Sequence, residues 1–84
     1  MKRPTLIIRP ALTAFAKELR AARIHAGMSK QRLADHAGMT RHGLIKIERG
    51  GNVTLGTIVL LAKALDCQVS DFFPRDAPWN RPVL

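Results

Sequence analysis

Apolar residues along this chain recur at spacings of three and four, the period of an amphipathic helix, with few alternating runs that would favour strands. Leu12, Phe15, Ala16, Leu19, Ala22 and Ala26 fall on one face and predict a first helix over 11–26. Pro10 suits its first position, Lys17, Glu18 and Arg20 point outward, and Gly27 closes it. Ser29 has the oxygen of an N-cap, Leu33, Ala34 and Ala37 give the next stripe, and Gly38 ends it by adopting positive φ without steric penalty. Thr40 caps a third helix with Leu44 and Ile47 inward. Thr54 caps a fourth, with Leu55, Ile58, Leu61, Ala62 and Leu65 as its stripe and Asp66 in the place of a closing glycine. Val69 joins the core, and Ser70 caps a single-turn helix carrying Phe72 and Phe73.

The polar remainder of the pattern is informative between residues 29 and 49. The outward positions of the third helix are Arg41, His42, Ile45, Lys46 and Arg49, and three of these five are permanently cationic. A helix of this width fits the major groove of DNA. Two short helices with a glycine turn between them and a basic, hydrogen-bonding outer face make a helix-turn-helix. Arg23 lies at the edge of the first buried stripe, so its charge needs a partner, and Glu48 is the candidate. Gly43 inside the third helix is weaker than alanine by about 1 kcal/mol. A close approach by DNA or a neighbouring helix is one reading of it, and tolerance is the other. Gly50-Gly51-Asn52 forms a turn whose N–H groups suit a phosphate. Val59 and Leu60 are apolar residues that one inner face does not use, which marks a second contact surface.

Both ends depart from the helical pattern. Residues 1–10 form an arm between Pro4 and Pro10, with three readings open: a disordered arm, a short Leu6-Ile7-Ile8 strand pairing with a partner chain, or a basic arm (Lys2, Arg3, Arg9) on DNA. From 74 to 84, Pro74, Pro78 and Pro82 leave an extended tail in which Trp79, Val83 and Leu84 are the sticky points. The domain proper is 11–73.

Charge sharpens this division. Of the 14 Lys/Arg and 6 Asp/Glu, residues 1–53 hold eleven and three, so the whole net charge of +8 lies there and residues 54–84 are neutral. One half faces a polyanion, while the other is free to meet a second copy. A chain of 84 residues is one domain near the size where folded monomers become marginal, which also favours a dimer. The lone Cys67 excludes an internal disulfide framework and fits a reducing cytoplasm. Leu6-Ile7-Ile8 is shorter than the ~7–15 apolar residues of a signal segment or the ~20 of a membrane span, so a cytoplasmic chain with no membrane partner is expected.

The stretch from Leu19 to Phe73 resembles the Xre family of Cro/cI phage-repressor-like helix-turn-helix proteins. The matching pieces are Leu19-Arg20-x-x-Arg23 with Gly27-Met-Ser29, then Leu33-Ala34-x-x-Ala37-Gly38 and Ile47-Glu48-Arg49-Gly50. Leu61-Ala62-x-Ala64-Leu65 and Asp71-Phe72-Phe73 complete the register. The resemblance implies an all-α, five-helix lambda-repressor-like domain with an extended N-terminal arm and a Pro-rich C-terminal tail. By position, Arg41, His42 and Lys46 match base-contacting sites, and Ile45 beside them suits a thymine methyl. Ser29, Lys30 and the 49–52 loop, including Arg49 and Asn52, match phosphate contacts, with Arg32 and Thr40 added from their places at the two helix starts. Arg23 and Glu48 match a structural pair. Arg32 stands where the family often carries Glu, so the acidic partner of a capping box is replaced by a cation.

These features point to a transcriptional repressor binding an inverted repeat of double-stranded DNA as a homodimer, with Val59, Leu60, Phe72, Phe73 and Trp79 at the seam. An antitoxin that binds a toxin and represses its own operon is the competing class, and RNA binding lacks an aromatic platform. An enzyme is not expected: Cys67 has no nearby His, and Ser29 and Ser70 read as caps. His25 reads as a helix end and His36 as a solvated face. The three histidines lack metal-ligand spacing, so no metal or cofactor is expected.

Overall fold

The computed structural model describes residues 5–74, with side chains from Ile8 onward. Four α-helices run Thr5–His25 (α1), Lys30–Ala37 (α2), Arg41–Glu48 (α3) and Leu55–Ala64 (α4), and a 3-10 turn follows at Val69–Phe72. No helix among these residues is long and apolar enough to cross a membrane.

The starts of α2, α3 and α4 follow directly from the sequence. Ser29, Thr40 and Thr54 have extended backbones, and their hydroxyl oxygens accept from the amides of Arg32, Gly43 and Thr57 at 3.0–3.1 Å. Each bond satisfies one of the four amides that a helix start leaves without a partner.

All four helices end in one hydrogen-bond pattern. Beyond α1, Met28 N–H reaches the Arg23 carbonyl and Gly27 N–H the Ile24 carbonyl, and the same pair of bonds recurs around Gly38, Gly50 and Asp66. The pattern requires a left-handed residue. Glycine supplies it three times, and Asp66, at φ 55°, supplies it the fourth. The next residue turns an apolar side chain back to the core at Met28, Met39 and Cys67. After α3 that position is Gly51, because a Cβ there would stand 2.8 Å from the Lys46 carbonyl oxygen.

The predicted stripes converge on one core. Phe15, Leu19, Leu33, Leu44, Leu61 and Phe72 are its largest fully buried side chains. Each such residue contributes roughly 1.5–3 kcal/mol from area removed from water. α2 packs on α3 and α4, while α1 packs on α3 and on the 3-10 turn. The short α3 is therefore gripped on its inner side by both α1 and α2.

Five expectations need correction. The fifth helix is a four-residue 3-10 turn, started by Gln68 (whose N–H donates to Asp71 Oδ2 at 3.0 Å) rather than by Ser70. Pro74 after Phe73 disfavours α geometry there. Thr5–Pro10 is helical, so Leu6, Ile7 and Ile8 form neither an extended arm nor a strand. Pro10 lacks an N–H and withholds one bond, that to the Leu6 carbonyl, which a helix this long tolerates. Leu55 continues the α4 stripe but is 71 % exposed, because at the first position of the helix nothing packs over it. Ala26 is exposed, since α1 has already closed when the chain turns at Gly27. Phe72 is no seam residue: it is 1 % exposed, edge-on to Phe15 at 5.2 Å, while half-buried Phe73 stacks on the same ring at 5.7 Å. Residues 1–4, with Lys2 and Arg3, and residues 75–84, with Trp79, lie outside the described residues.

Candidate nucleic-acid interface

The Arg23–Glu48 pair fixes where α3 sits. Arg23 Nε donates to Glu48 Oε2 at 2.7 Å and Nη2 to Oε1 at 3.2 Å, while Nη1 donates to the Met28 carbonyl at 3.0 Å. Both side chains are at most a tenth exposed, and among the described residues this is the one salt bridge. The fork of a guanidinium matches a carboxylate in this two-bond geometry. One arginine therefore ties together α1, the end of α3 and the turn leading into α2. Arg20, one turn earlier on α1, adds a 3.3 Å bond from Nη2 to the Glu48 backbone carbonyl.

With Leu44, Ile47 and Glu48 buried, the opposite face of α3 must look outward. Arg41, His42 and Lys46 are exposed on it, as are Arg49 and Asn52 just beyond it. Ser29, Arg32 and Thr40 are exposed and Lys30 is half-buried at the two helix starts. Ile45 is also half-buried. It lines a hollow of about 410 Å³ between α1 and α3, together with Arg20, Lys30 and Arg49. A second hollow, about 490 Å³, lies among Lys46, Arg49, Asn52 and the two glycines between them.

The electrostatics of this surface run against helix stability. The N-terminal end of a helix carries a partial positive charge and favours acids. Neither α2 nor α3 has an acidic residue in its first turn. Lys30 and Arg32 stand in one and Arg41 and His42 in the other. Two neighbouring helix starts thus present unbonded amides and cations together, the arrangement that attracts anions. Gly43 has a local reason as well: a Cβ there would come within 3.1 Å of the Thr40 hydroxyl that caps α3.

Arg20 is the residue that the sequence pattern underrated. Its outward position identified a solvated charge, yet its place three residues before Arg23 puts it over the same end of α3. Cys67 lies apart from this surface, half-buried, with its thiol pushed up by burial and then by Asp71 and Asp66. A thiol so held is a poor nucleophile. Among the described residues, no three His, Cys, Asp or Glu side chains group as a metal site.

A short capped helix, a left-handed glycine turn and a second helix held by a buried ion pair define an all-α, lambda-repressor-like helix-turn-helix domain. The chain belongs to the HTH_3 helix-turn-helix family of Xre type, whose pattern matches residues 19–72. It is similar to RC0668 of Rickettsia conorii, an uncharacterized HTH-type transcriptional regulator, with 32 % identity over 98 % of this chain and 66 % of that protein. RP497 of Rickettsia prowazekii, of the same description, is 31 % identical over 98 % of this chain and 64 % of its own length. The chain thus spans just under two thirds of these relatives. Among solved structures it is similar to the restriction-modification controller protein C.AhdI from Aeromonas hydrophila, with a TM-score of 0.72 and 38 % identity. That likeness covers 74 % of this chain and 96 % of the other. The clp gene regulator ClgR from C. glutamicum gives a TM-score of 0.71 and 25 % identity, over 74 % of this chain and 82 % of that one.

Proposed function

We propose that this chain is a transcriptional repressor that binds an inverted repeat of double-stranded DNA as a two-fold dimer. The carrying observation is the pair of helix starts. Lys30, Arg32, Arg41 and His42 occupy positions where acids would stabilise α2 and α3, so these helices are arranged for an external anion. On this reading α3 enters the major groove, with Arg41, His42 and Lys46 at base edges and Ile45 at the margin toward a thymine methyl. Ser29, Lys30, Arg32, Thr40, Arg49 and Asn52 hold the backbone on either side. Ser29 and Thr40 use their oxygens as caps, which leaves each hydroxyl proton for a phosphate. The regulatory roles in the names of both solved relatives support the same reading.

The dimer has a separate support. Val59 and Leu60 are 43 % and 50 % exposed on α4, and Leu55 at the start of the helix is also left uncovered. One α3 reads too few base pairs to be selective in a genome. Two-fold pairing along α4 would present two, about 34 Å apart, on half-sites ~10 base pairs apart.

A footprint on the DNA upstream of the chain's own coding sequence, with sedimentation at micromolar protein, tests both parts. A protected inverted repeat and a dimer are expected, with Leu60→Glu giving a monomer whose protection is lost at the same concentration. A wild-type monomer protecting one asymmetric site would sink the dimer reading.

A further inference from the structure

The hollow between α1 and α3 is a concentration of positive charge of which the fold pairs only one member with a carboxylate. Its lining includes Arg20, Arg23, Lys30 and Arg49 against a single carboxylate, Glu48. Both oxygens of Glu48 accept from Arg23, and a third of the five Arg23 N–H groups donates to the Met28 carbonyl, so most of the charge of this buried pair is already matched within the fold. Among the described residues none of the other three cations has a carboxylate within ion-pair distance. Arg20 is nonetheless held in place, because one of its five N–H groups is anchored on the Glu48 carbonyl at 3.3 Å while the rest stay available. A guanidinium oriented in advance loses little freedom when it takes an oxyanion. At about 410 Å³ the hollow lies within the roughly 300–1,000 Å³ of ligand sites, and Ile45 gives it an apolar wall.

We propose that this hollow binds a phosphoryl group, with Arg20 on α1, Lys30 at the start of α2 and Arg49 after α3 as its donors. Arg20 lies outside the helix-turn-helix, so the site is made by the packing of α1 on α3. The ligand is a phosphate ester, and two sources carry that chemistry: a diester of the DNA backbone, or a free phosphorylated small molecule. The proposal shares Lys30 and Arg49 with the DNA reading and adds Arg20 to them; its free-ligand arm does not require that reading.

The test compares the wild-type chain with Arg20→Gln and Arg20→Lys, each first shown by thermal melting to be folded. In one arm the amide NMR spectrum is followed during titration with sodium pyrophosphate at constant ionic strength. Shifts at residues 16–20 and 48–50 should saturate for the wild type and for Arg20→Lys, with affinity about tenfold weaker in Arg20→Gln. In the other arm, the salt dependence of binding to duplex DNA is measured. Loss of one phosphate contact should lower the log–log slope by about 1 per chain in Arg20→Gln. Saturable pyrophosphate binding that depends on Arg20, with an unchanged DNA slope, assigns a free ligand, and a changed slope alone assigns the DNA backbone. If Arg20→Gln alters neither arm, the proposal is overturned. Should the wild type bind no DNA, the DNA reading fails by itself, and pyrophosphate alone decides the hollow.

Discussion

The outer face of α3 and the outer face of α4 are both left uncovered by the fold, but in opposite chemical ways. On α3 the exposed residues are Arg41, His42 and Lys46, and the helix is anchored from behind by a buried ion pair. On α4 they are mainly apolar, Val59 and Leu60 with Leu55 at the start of the helix and one cation, Lys63, near its end, and the buried positions behind them, Ile58, Leu61 and Ala62, are all apolar. The first face accepts unfavourable helix electrostatics, while the second leaves apolar area in water. A domain selected for stability alone would do neither. Each face makes physical sense only with a partner of matching chemistry, an anion for α3 and an apolar surface for α4.

The largest expected effect comes from breaking the anchor of the first face. Removing one member of a buried pair leaves an uncompensated charge, worth about 3–5 kcal/mol. Glu48→Ala also frees Arg23 from α3, so α3 should lose its fixed position as well as the domain its stability. Denaturant unfolding should show either single change as severe and Arg23→Ala with Glu48→Ala as milder than their sum. Strict additivity would mean that the two side chains do not act as a pair.

Salt comes second and separates the two faces. If about six phosphates are neutralised in a dimer, the log–log slope for DNA should be near −5, and affinity should fall about a thousandfold between 50 and 200 mM salt. Dimerisation through α4 is apolar and should hardly respond over the same range. A flat salt dependence on the best DNA found would remove the electrostatic basis of the α3 reading.

Third are the readers on α3. Arg41→Ala and Lys46→Ala should each reduce discrimination between operator and random DNA by ~1–3 kcal/mol, if each makes a good contact to guanine. Sedimentation of both variants should be unchanged, because neither residue is near α4. If both retain the wild-type specificity ratio, α3 is not the reading helix.

How much of this was readable in the sequence varies with the kind of residue. The caps at Ser29, Thr40 and Thr54, the left-handed closures at Gly27, Gly38 and Asp66, and the Arg23–Glu48 pair all follow from local rules or from one charge needing one partner. The cationic face of α3 follows from its buried stripe. What periodicity did not supply was where each stripe runs out. Leu55 and Ala26 fit their stripes but lie beyond the packed core, and Thr5–Pro10 is helical despite a proline that marked a boundary. Phe72 and Phe73 looked like surplus apolar area because their partner, Phe15, is distant in sequence. Arg20 was misjudged for the same reason, since only the packing of α1 on α3 gives its guanidinium a carbonyl and a hollow.

The smallest effect is also the sharpest test of the idea that the α2–α3 surface gives up stability to face an anion. Ser29 already accepts from the Arg32 amide at 3.0 Å, which is half of a capping box. Arg32→Glu supplies the other half, since a glutamate there can accept from the Ser29 backbone amide. It also replaces a cation at the positive end of α2 by an acid, and such charges are worth about 0.3–1 kcal/mol each. Together these changes should stabilise the free domain by ~1 kcal/mol, raising Tm by roughly 4–8 °C for a domain of this size. The same substitution removes a phosphate donor and adds a repulsive charge, so DNA affinity should fall and the salt slope should shrink while the operator preference set by α3 remains. A variant that is both more stable and a weaker binder, with its specificity ratio intact, is the expected outcome. If Arg32→Glu destabilises the free domain, or binds DNA as tightly as the wild type, the start of α2 is not arranged for an anion.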